Sequence, residues 1–114
     1  MTQTIDPTAL PTTVRAFLAA HAAREVDAAA RTFTADAVVT DQGETFRGGE
    51  QVRTFLQRAG SEFTYTTELV GARRVDDDHW VAVNHLEGDF PGGVADLDYR
   101  FTLAGDLISE LAIG

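Results

Sequence analysis

The side chains that could do chemistry in this sequence are carboxylates, histidines, tyrosines, arginines and threonines. Asp41 ends the run Ala-Val-Val-Thr-Asp over 37–41, His85 and Glu87 lie two positions apart, and Tyr99 alternates with apolar neighbours. A carboxylate beside apolar walls has a raised pKa and can serve as a general base, while histidine titrates near neutral pH. These residue types are suited to proton transfer and hydrogen bonding rather than to covalent catalysis.

Other chemistries are excluded by residue types that the sequence lacks. It has no cysteine, which excludes disulfides, thiol nucleophiles and zinc–thiolate sites. All nine basic residues are arginines, which excludes a Schiff-base lysine and a Walker-type phosphate loop. The two serines, Ser61 and Ser109, lie outside any Gly-x-Ser-x-Gly motif. The histidines lack metal-ligand spacing, and no Gly-x-Gly-x-x-Gly motif occurs. We therefore expect no metal and no cofactor.

Size and charge define the class of protein. The 114 residues are expected to form one domain over 1–114, and the hydrophobic share of 44% is typical of globular chains. A net charge of −9 disfavours nucleic acid and anionic membranes as partners. The longest apolar stretch, Ala16–Ala23, is too short to span a bilayer, and no basic residue precedes Arg15 as a signal peptide requires. These features predict a cytoplasmic protein.

Helical periodicity dominates the first half of the chain. Apolar residues at i, i+3, i+4 and i+7 predict a helix over 11–22, whose buried stripe is Val14, Phe17, Leu18 and His21. An alanine-rich helix is expected over 27–33 and a third helix over 50–59. Between them, 37–41 and 45–47 read as a short hairpin.

After Gly60 the period changes to two, which is typical of strands. Strands are predicted over 63–69, 79–90, 96–103 and 107–113. Segregated helices and consecutive strands indicate an α+β fold. For 79–90 the sequence does not decide which face points inward. The face that carries His85 and Glu87 and the opposite face both contain several apolar residues.

The order of helix, helix, short hairpin, helix and four long strands resembles the nuclear transport factor 2-like superfamily, and within it the SnoaL-like (polyketide cyclase-like) branch. The resemblance rests on FTADAVVTD (33–41), FRGGE (46–50) and EGDFPGGVADLDYRF (87–101), and it covers nearly the whole chain. It implies a curved antiparallel sheet wrapped around the N-terminal helices, a cone-shaped cystatin-like barrel with an apolar internal pocket. It also implies a homodimer that forms through the outer face of the sheet.

The resemblance also assigns roles to residues. In the related steroid isomerases the catalytic base follows an A-x-V-x-D pattern, which Asp41 matches. Phe17 and Leu97 stand near the positions of that enzyme's oxyanion donors, and neither side chain can donate a hydrogen bond. The resemblance therefore does not imply ketosteroid isomerase activity itself. Asp41 is either a general base or the first residue of the turn at Gln42-Gly43.

The remaining candidates also have two interpretations each. His85 and Tyr99 would assist Asp41 in catalysis, but His85 could instead lie on a dimer or solvent face, and the Tyr99 ring could be part of the core. His21 is either a core histidine or a pocket residue. The residues expected to line the pocket are Phe17, His21, Phe33, Val39, Phe46, Phe55, Tyr65 and Phe101.

Two functions from different classes follow. One is a cofactor-free isomerase, cyclase or dehydratase that acts on a small apolar carbonyl compound. The other is a non-catalytic ligand-binding or dimeric interaction module. The alanine-rich, lysine-free composition is typical of GC-rich bacterial genomes.

Overall fold

In the part of the chain that the structure describes, seven strands form one curved, open sheet, and the helices cover its inner face. The computed structural model describes residues 2–59 and 65–114. The elements are β1 (Gln3–Ile5), α1 (Thr12–Ala22), α2 (Val26–Ala30), β2 (Phe33–Asp41), β3 (Glu44–Arg47), α3 (Gly48–Ala59), β4 (Tyr65–Arg74), β5 (His79–Gly88), β6 (Val94–Ala104) and β7 (Leu107–Ile113). The strand order is β1-β4-β5-β6-β7-β2-β3, and β2 pairs with β7 in parallel while the other pairs are antiparallel. The α+β class and the cystatin-like curvature are confirmed, but the sheet is not closed.

The helices begin and end close to the predicted positions, with one exception. Pro11 precedes α1 in an extended conformation, and Arg24 at φ +60° redirects the chain after it. The predicted helix 27–33 instead ends at Ala30, because Phe33 already pairs with Ile108 in the sheet. The Thr32 hydroxyl donates a hydrogen bond to the Ala29 carbonyl at 2.6 Å, which satisfies one of the last helical acceptors.

None of the described helices is long and apolar enough to cross a membrane.

Strand irregularities bend the sheet. The β4–β5 register shifts between Leu69 and Gly71, and the β6–β7 register shifts between Thr102 and Leu103. Such bulges increase local twist and let long strands curl around a core. Strand β5 ends at Gly88 rather than at the predicted position 90, because the Gly88 amide donates a hydrogen bond to the Gly93 carbonyl and closes a turn. Strand β1 was not predicted, and the start of the predicted strand 63–69 lies outside the described residues.

The core lies between the inner face of the sheet and α1 and α3. Phe17 and Phe101 are 0% and 1% exposed, and their rings meet edge to face at 5.6 Å. Phe33 meets Phe17 at 5.4 Å in a similar arrangement. Edge-to-face aromatic pairs add to the stabilisation that burial of their apolar area provides.

The inward face of β5 is the one without His85. Asn84 and Leu86 are 3% and 9% exposed and point towards the helices, whereas His85 and Glu87 point outward. On that outer face, His85 Nδ1 contacts Asp96 at 2.5 Å and His85 Nε2 contacts Glu87 at 3.1 Å. Hydrogen bonds to these two carboxylates raise the pKa of His85.

The aromatic contacts of the core predict a large cost for truncating Phe101. We expect Phe101→Ala to lower the free energy of unfolding by about 3–5 kcal/mol, because it removes buried area and leaves a cavity. Val94→Ala is the matched control, since Val94 is 58% exposed, and should cost less than about 0.5 kcal/mol. Urea unfolding measures both, and equal costs would contradict this account of the core.

Candidate active site

A cavity of about 370 Å³ opens at one end of the inner sheet face, where β2 ends and β5 turns into β6. Its polar lining residues are His21, Asp41, Gln42, Tyr65 and Tyr99. Apolar side chains form the rest of the wall, namely Phe55, Leu86, Phe90, Pro91, Val94, Ala95, Leu97 and Ile113. A mainly apolar wall with a few convergent polar groups is typical of small-molecule sites.

Strand alternation brings Asp41 into this cavity. Ala37 and Val39 are fully buried on the inner face of β2, and Asp41 follows on the same face. Pairing with Glu44 on β3 and with Ile113 on β7 fixes the backbone of Asp41. Asp41 as a whole residue is partly buried. Asp41 also precedes the tight turn at Gln42 and Gly43. It therefore both lines the cavity and begins the turn, which are the two placements that the sequence allows.

Two tyrosines share the cavity with Asp41. Burial raises the pKa of Tyr99, and the neighbouring Tyr65 and the charge of Asp41 raise it further. Burial also raises the pKa of Tyr65, where the nearby Arg24 guanidinium, 5.7 Å from the ring centre, opposes the shift and Asp41 adds to it. Both hydroxyls therefore stay protonated at neutral pH and can donate hydrogen bonds. The Tyr99 hydroxyl has no partner among the described residues, so it can donate to a ligand.

His21 is held between aromatic rings. Its imidazole lies nearly parallel to Phe17 at 5.2 Å and to Phe55 at 6.0 Å, and it lies 6.4 Å from Tyr99. Burial lowers the pKa of His21 to about 4, so the ring is neutral at neutral pH. The ring both packs against the core and lines the cavity.

Several predicted site residues lie elsewhere. His85 lies on the outer face of the sheet and does not reach Asp41, which corrects its predicted place beside Asp41 and Tyr99. Among the predicted pocket residues, Phe17, Val39, Phe46 and Phe101 are sealed in the core rather than lining this cavity. Phe33 instead lines a separate recess beside α2 and α3. Hydrophobic periodicity identified these residues as inward-facing but could not separate cavity wall from packed core.

Sequence reasoning missed part of the cavity wall. Alternation along β5 does not decide which face points inward and so does not identify Leu86, and Phe90 and Pro91 lie in a turn, where periodicity gives no signal. Leu97 had a usable signal, since it alternates with Tyr99 on the apolar face of β6. Among the described residues, the lining therefore holds one carboxylate, one amide, two protonated hydroxyls and one neutral imidazole among apolar walls, a set that can move protons. Within residues 2–59 and 65–114, no cluster of three potential metal ligands occurs.

Comparison with known proteins identifies the chain's relatives. A family model described as a SnoaL-like domain matches residues 14–110. A candidate polyketide cyclase from Sinorhizobium meliloti has a similar structure, with a TM-score of 0.89 and 29% identity over 96% of this chain and 100% of that chain. No curated protein matches the sequence.

More distant structures share the fold. A protein with a ketosteroid isomerase-like fold from Catenulispora acidiphila, in complex with trimethylamine, has a TM-score of 0.79 and 21% identity over 91% of this chain and 85% of that chain. A cystatin-fold protein from Novosphingobium aromaticivorans has a TM-score of 0.75 and 22% identity over 90% of this chain and 94% of that chain. The resemblance drawn from the sequence is confirmed.

The buried imidazole predicts how stability depends on pH. Because the pKa of His21 falls from 6.5 to about 4 on folding, the unfolded chain takes up the proton first as pH falls. Stability should be unaffected by this group above pH 6.5 and should decrease between pH 6.5 and 4 by up to about 3 kcal/mol. Urea unfolding across this range should show that His21→Gln lacks this decrease.

Val94→Ala is the control for that measurement, since Val94 is 58% exposed and carries no titratable group. It should keep the wild-type pH dependence between pH 6.5 and 4. If His21→Gln retained the full decrease as well, burial of the imidazole would not be its cause.

Proposed function

Since the chain belongs to the SnoaL-like domain family, we propose that it binds a small, mainly apolar carbonyl compound in the 370 Å³ cavity and transfers a proton without a cofactor. The observation that carries the proposal is the shared placement of Asp41, Tyr65 and Tyr99. The carboxylate lies close enough to both hydroxyls for its charge to raise their pKa values. An acid–base group and hydrogen-bond donors therefore face the same ligand space.

The proposed first step is removal of a proton from the carbon next to the carbonyl. Asp41 takes the proton, and the C–H electron pair moves to the carbonyl oxygen as an enolate. The Tyr99 hydroxyl donates a hydrogen bond to that oxygen, since it is protonated and otherwise unpartnered among the described residues. Neutral His21 lines the same wall and can donate or accept a hydrogen bond.

Three reactions could follow from the same enolate. Where the substrate carries a β,γ carbon–carbon double bond, return of the proton from Asp41 to the γ-carbon gives isomerisation. Dehydration results when a hydroxyl group on the β-carbon leaves and takes the proton from Asp41 to form water. Attack of the enolate carbon on a second carbonyl of the same molecule, with the proton passing to the new alkoxide, gives aldol-type cyclisation. The cavity volume is more than twice the roughly 150 Å³ that encloses benzene, which suits a ligand of about two or three rings.

The base role of Asp41 predicts a specific loss of activity. Exchange of the α-protons of 2-indanone in D₂O, followed by NMR, should be accelerated by the wild-type protein. Asp41→Asn should slow the protein-dependent exchange by at least about 100-fold, because an amide cannot take the proton. Binding of 2-indanone should change only a few-fold. Asp96→Asn, which alters a carboxylate on the outer face, is the matched control and should exchange at the wild-type rate.

Other outcomes of this assay are equally informative. Tyr99→Phe should also slow exchange, by roughly 100-fold as for loss of an oxyanion donor, with binding retained. Full exchange by Asp41→Asn would refute the base role. If the wild-type protein bound ketones but exchanged no proton in any of them, the non-catalytic binding module would be favoured. That second candidate is supported by the acids of the cavity lining, of which Asp41 is the single one among the described residues.

We also propose that the chain forms a homodimer through the outer face of the sheet. On this face Val83 lies among positively and negatively charged side chains. His85 contacts Asp96 and Glu87, and Arg100 contacts Asp98. Two copies related by a two-fold axis could place acidic and basic groups opposite one another. Sedimentation equilibrium should give twice the chain mass of 12.3 kDa. Val83→Arg should shift the population to monomer, and a monomeric wild type would contradict the proposal.

A further inference from the structure

A second cavity, of about 330 Å³, lies between α1 and strands β4 and β5. Its wall is largely hydrocarbon, with Leu18, Ala19 and Ala22 from α1 and Leu69 from β4. Among the described residues, His21 alone lines both this cavity and the one that holds Asp41. The second cavity is therefore a distinct space on the same inner face of the sheet.

Asn84 is the polar group buried in the wall of this cavity. It pairs with Leu69 on β4 and with Leu97 on β6, and the residue is 3% exposed. Its amide forms no hydrogen bond to any residue of the described chain. The amide atoms are not sealed off, because the only enclosed side-chain atom without a partner in the described residues is Thr34 Oγ1. The small accessible area of Asn84 therefore opens into the cavity.

The position of Asn84 is unfavourable for a purely structural residue. Ala82 and Leu86, its neighbours on the same face of β5, are apolar and buried. A buried amide without a partner destabilises the fold, whereas an apolar side chain of similar size would pack there without this cost. A ligand that satisfies both halves of the amide would remove the penalty.

The chemistry of the amide indicates the ligand. A carboxamide offers an N–H donor and a carbonyl acceptor side by side in one plane. Its complement is a second planar group with an acceptor beside a donor, such as a lactam or a primary carboxamide. We propose that the second cavity is a binding site for a small, mainly apolar molecule carrying such an amide, held by two parallel hydrogen bonds to Asn84. This proposal is independent of proton transfer by Asp41, which does not line this cavity.

The size of the cavity limits the ligand. Its volume is about twice the roughly 150 Å³ that accommodates benzene, so a bicyclic molecule fits. Arg15 also lines the cavity and is exposed, so an anion held by its guanidinium is the competing occupant. Thr67 is partly buried in the same wall.

The test compares two probes that differ in one atom. The probe 3,4-dihydroisoquinolin-1(2H)-one is a bicyclic lactam, and 3,4-dihydroisocoumarin has a ring oxygen in place of its N–H. Titrations followed by ¹⁵N NMR should shift the side-chain amide signal of Asn84. The lactam should bind at least about tenfold more tightly than the lactone, because the lactone leaves the Asn84 carbonyl unpaired. In Asn84→Leu the difference should fall below about twofold.

A second variant keeps the test independent of the folding of Asn84→Leu. Ala19 is exposed on α1 and lines the cavity, so Ala19→Phe should fill the space without removing the amide. It should weaken lactam binding at least about tenfold while Asn84 remains in place. Equal affinities for lactam and lactone in the wild type would overturn the proposal, as would signal shifts confined to Tyr99 and Leu97.

Two further results would also overturn it. An unshifted Asn84 amide at millimolar lactam would assign the cavity to water alone. Tight binding of 1-naphthoate that Arg15→Gln abolishes and Asn84→Leu leaves unchanged would assign the cavity to anions.

Discussion

The organisation of this protein depends on a mismatch in length between its strands and the helices that cover them. Strands of 10 or 11 residues such as β5 and β6 extend roughly 33–36 Å, whereas α1 and α3, with 11 and 12 residues, extend roughly 16–18 Å. The helices therefore bury the middle of the inner face, where Phe17 meets Phe101. Space remains at the end of the sheet, where the first cavity lies, and between α1 and strands β4 and β5, where the second cavity lies, and His21 lines both. The packed aromatic centre thus fixes where a ligand can and cannot enter.

The same curved sheet separates two electrostatic environments. Outward positions of β5 and β6 carry charges in solvent, where His85 pairs with Asp96 and Arg100 with Asp98. Exposed pairs of this kind contribute little to stability, but they satisfy charges that could not be buried. Inward positions around the first cavity carry apolar residues and a few uncharged polar groups, and Asp41 at the end of β2 is the acidic residue among the described lining residues. Under the proposed mechanism, that contrast makes the carboxylate effective as a base.

Much of this arrangement was predictable from the sequence, and the failures have physical causes. The period of 3.6 in α1 and the period of two in β2 and β6 placed His21, Asp41 and Tyr99 on inward faces, because each element has one clearly apolar side. Strand β5 has two apolar sides, since Val81 on the outer face is 5% exposed and Ala82 on the inner face is fully buried. Alternation alone could therefore not decide between His85 and Asn84. The end of α2 and the pairing of β1 with β4 depend on contacts distant in sequence, which local propensity does not register.

The charge balance of the first cavity favours a neutral substrate. Burial keeps His21 uncharged and both tyrosines protonated, so Asp41 supplies the formal charge among the described lining residues. When Asp41 accepts a proton from a neutral ketone, the negative charge moves to the enolate oxygen and the total charge of the cavity is unchanged. Moving a charge between two positions within an apolar site is less costly than creating a new pair of charges there. An anionic substrate would instead bring a second negative charge close to Asp41 before any reaction began. A neutral carbonyl compound is therefore the class of ligand for which the proposed proton transfer is electrostatically consistent.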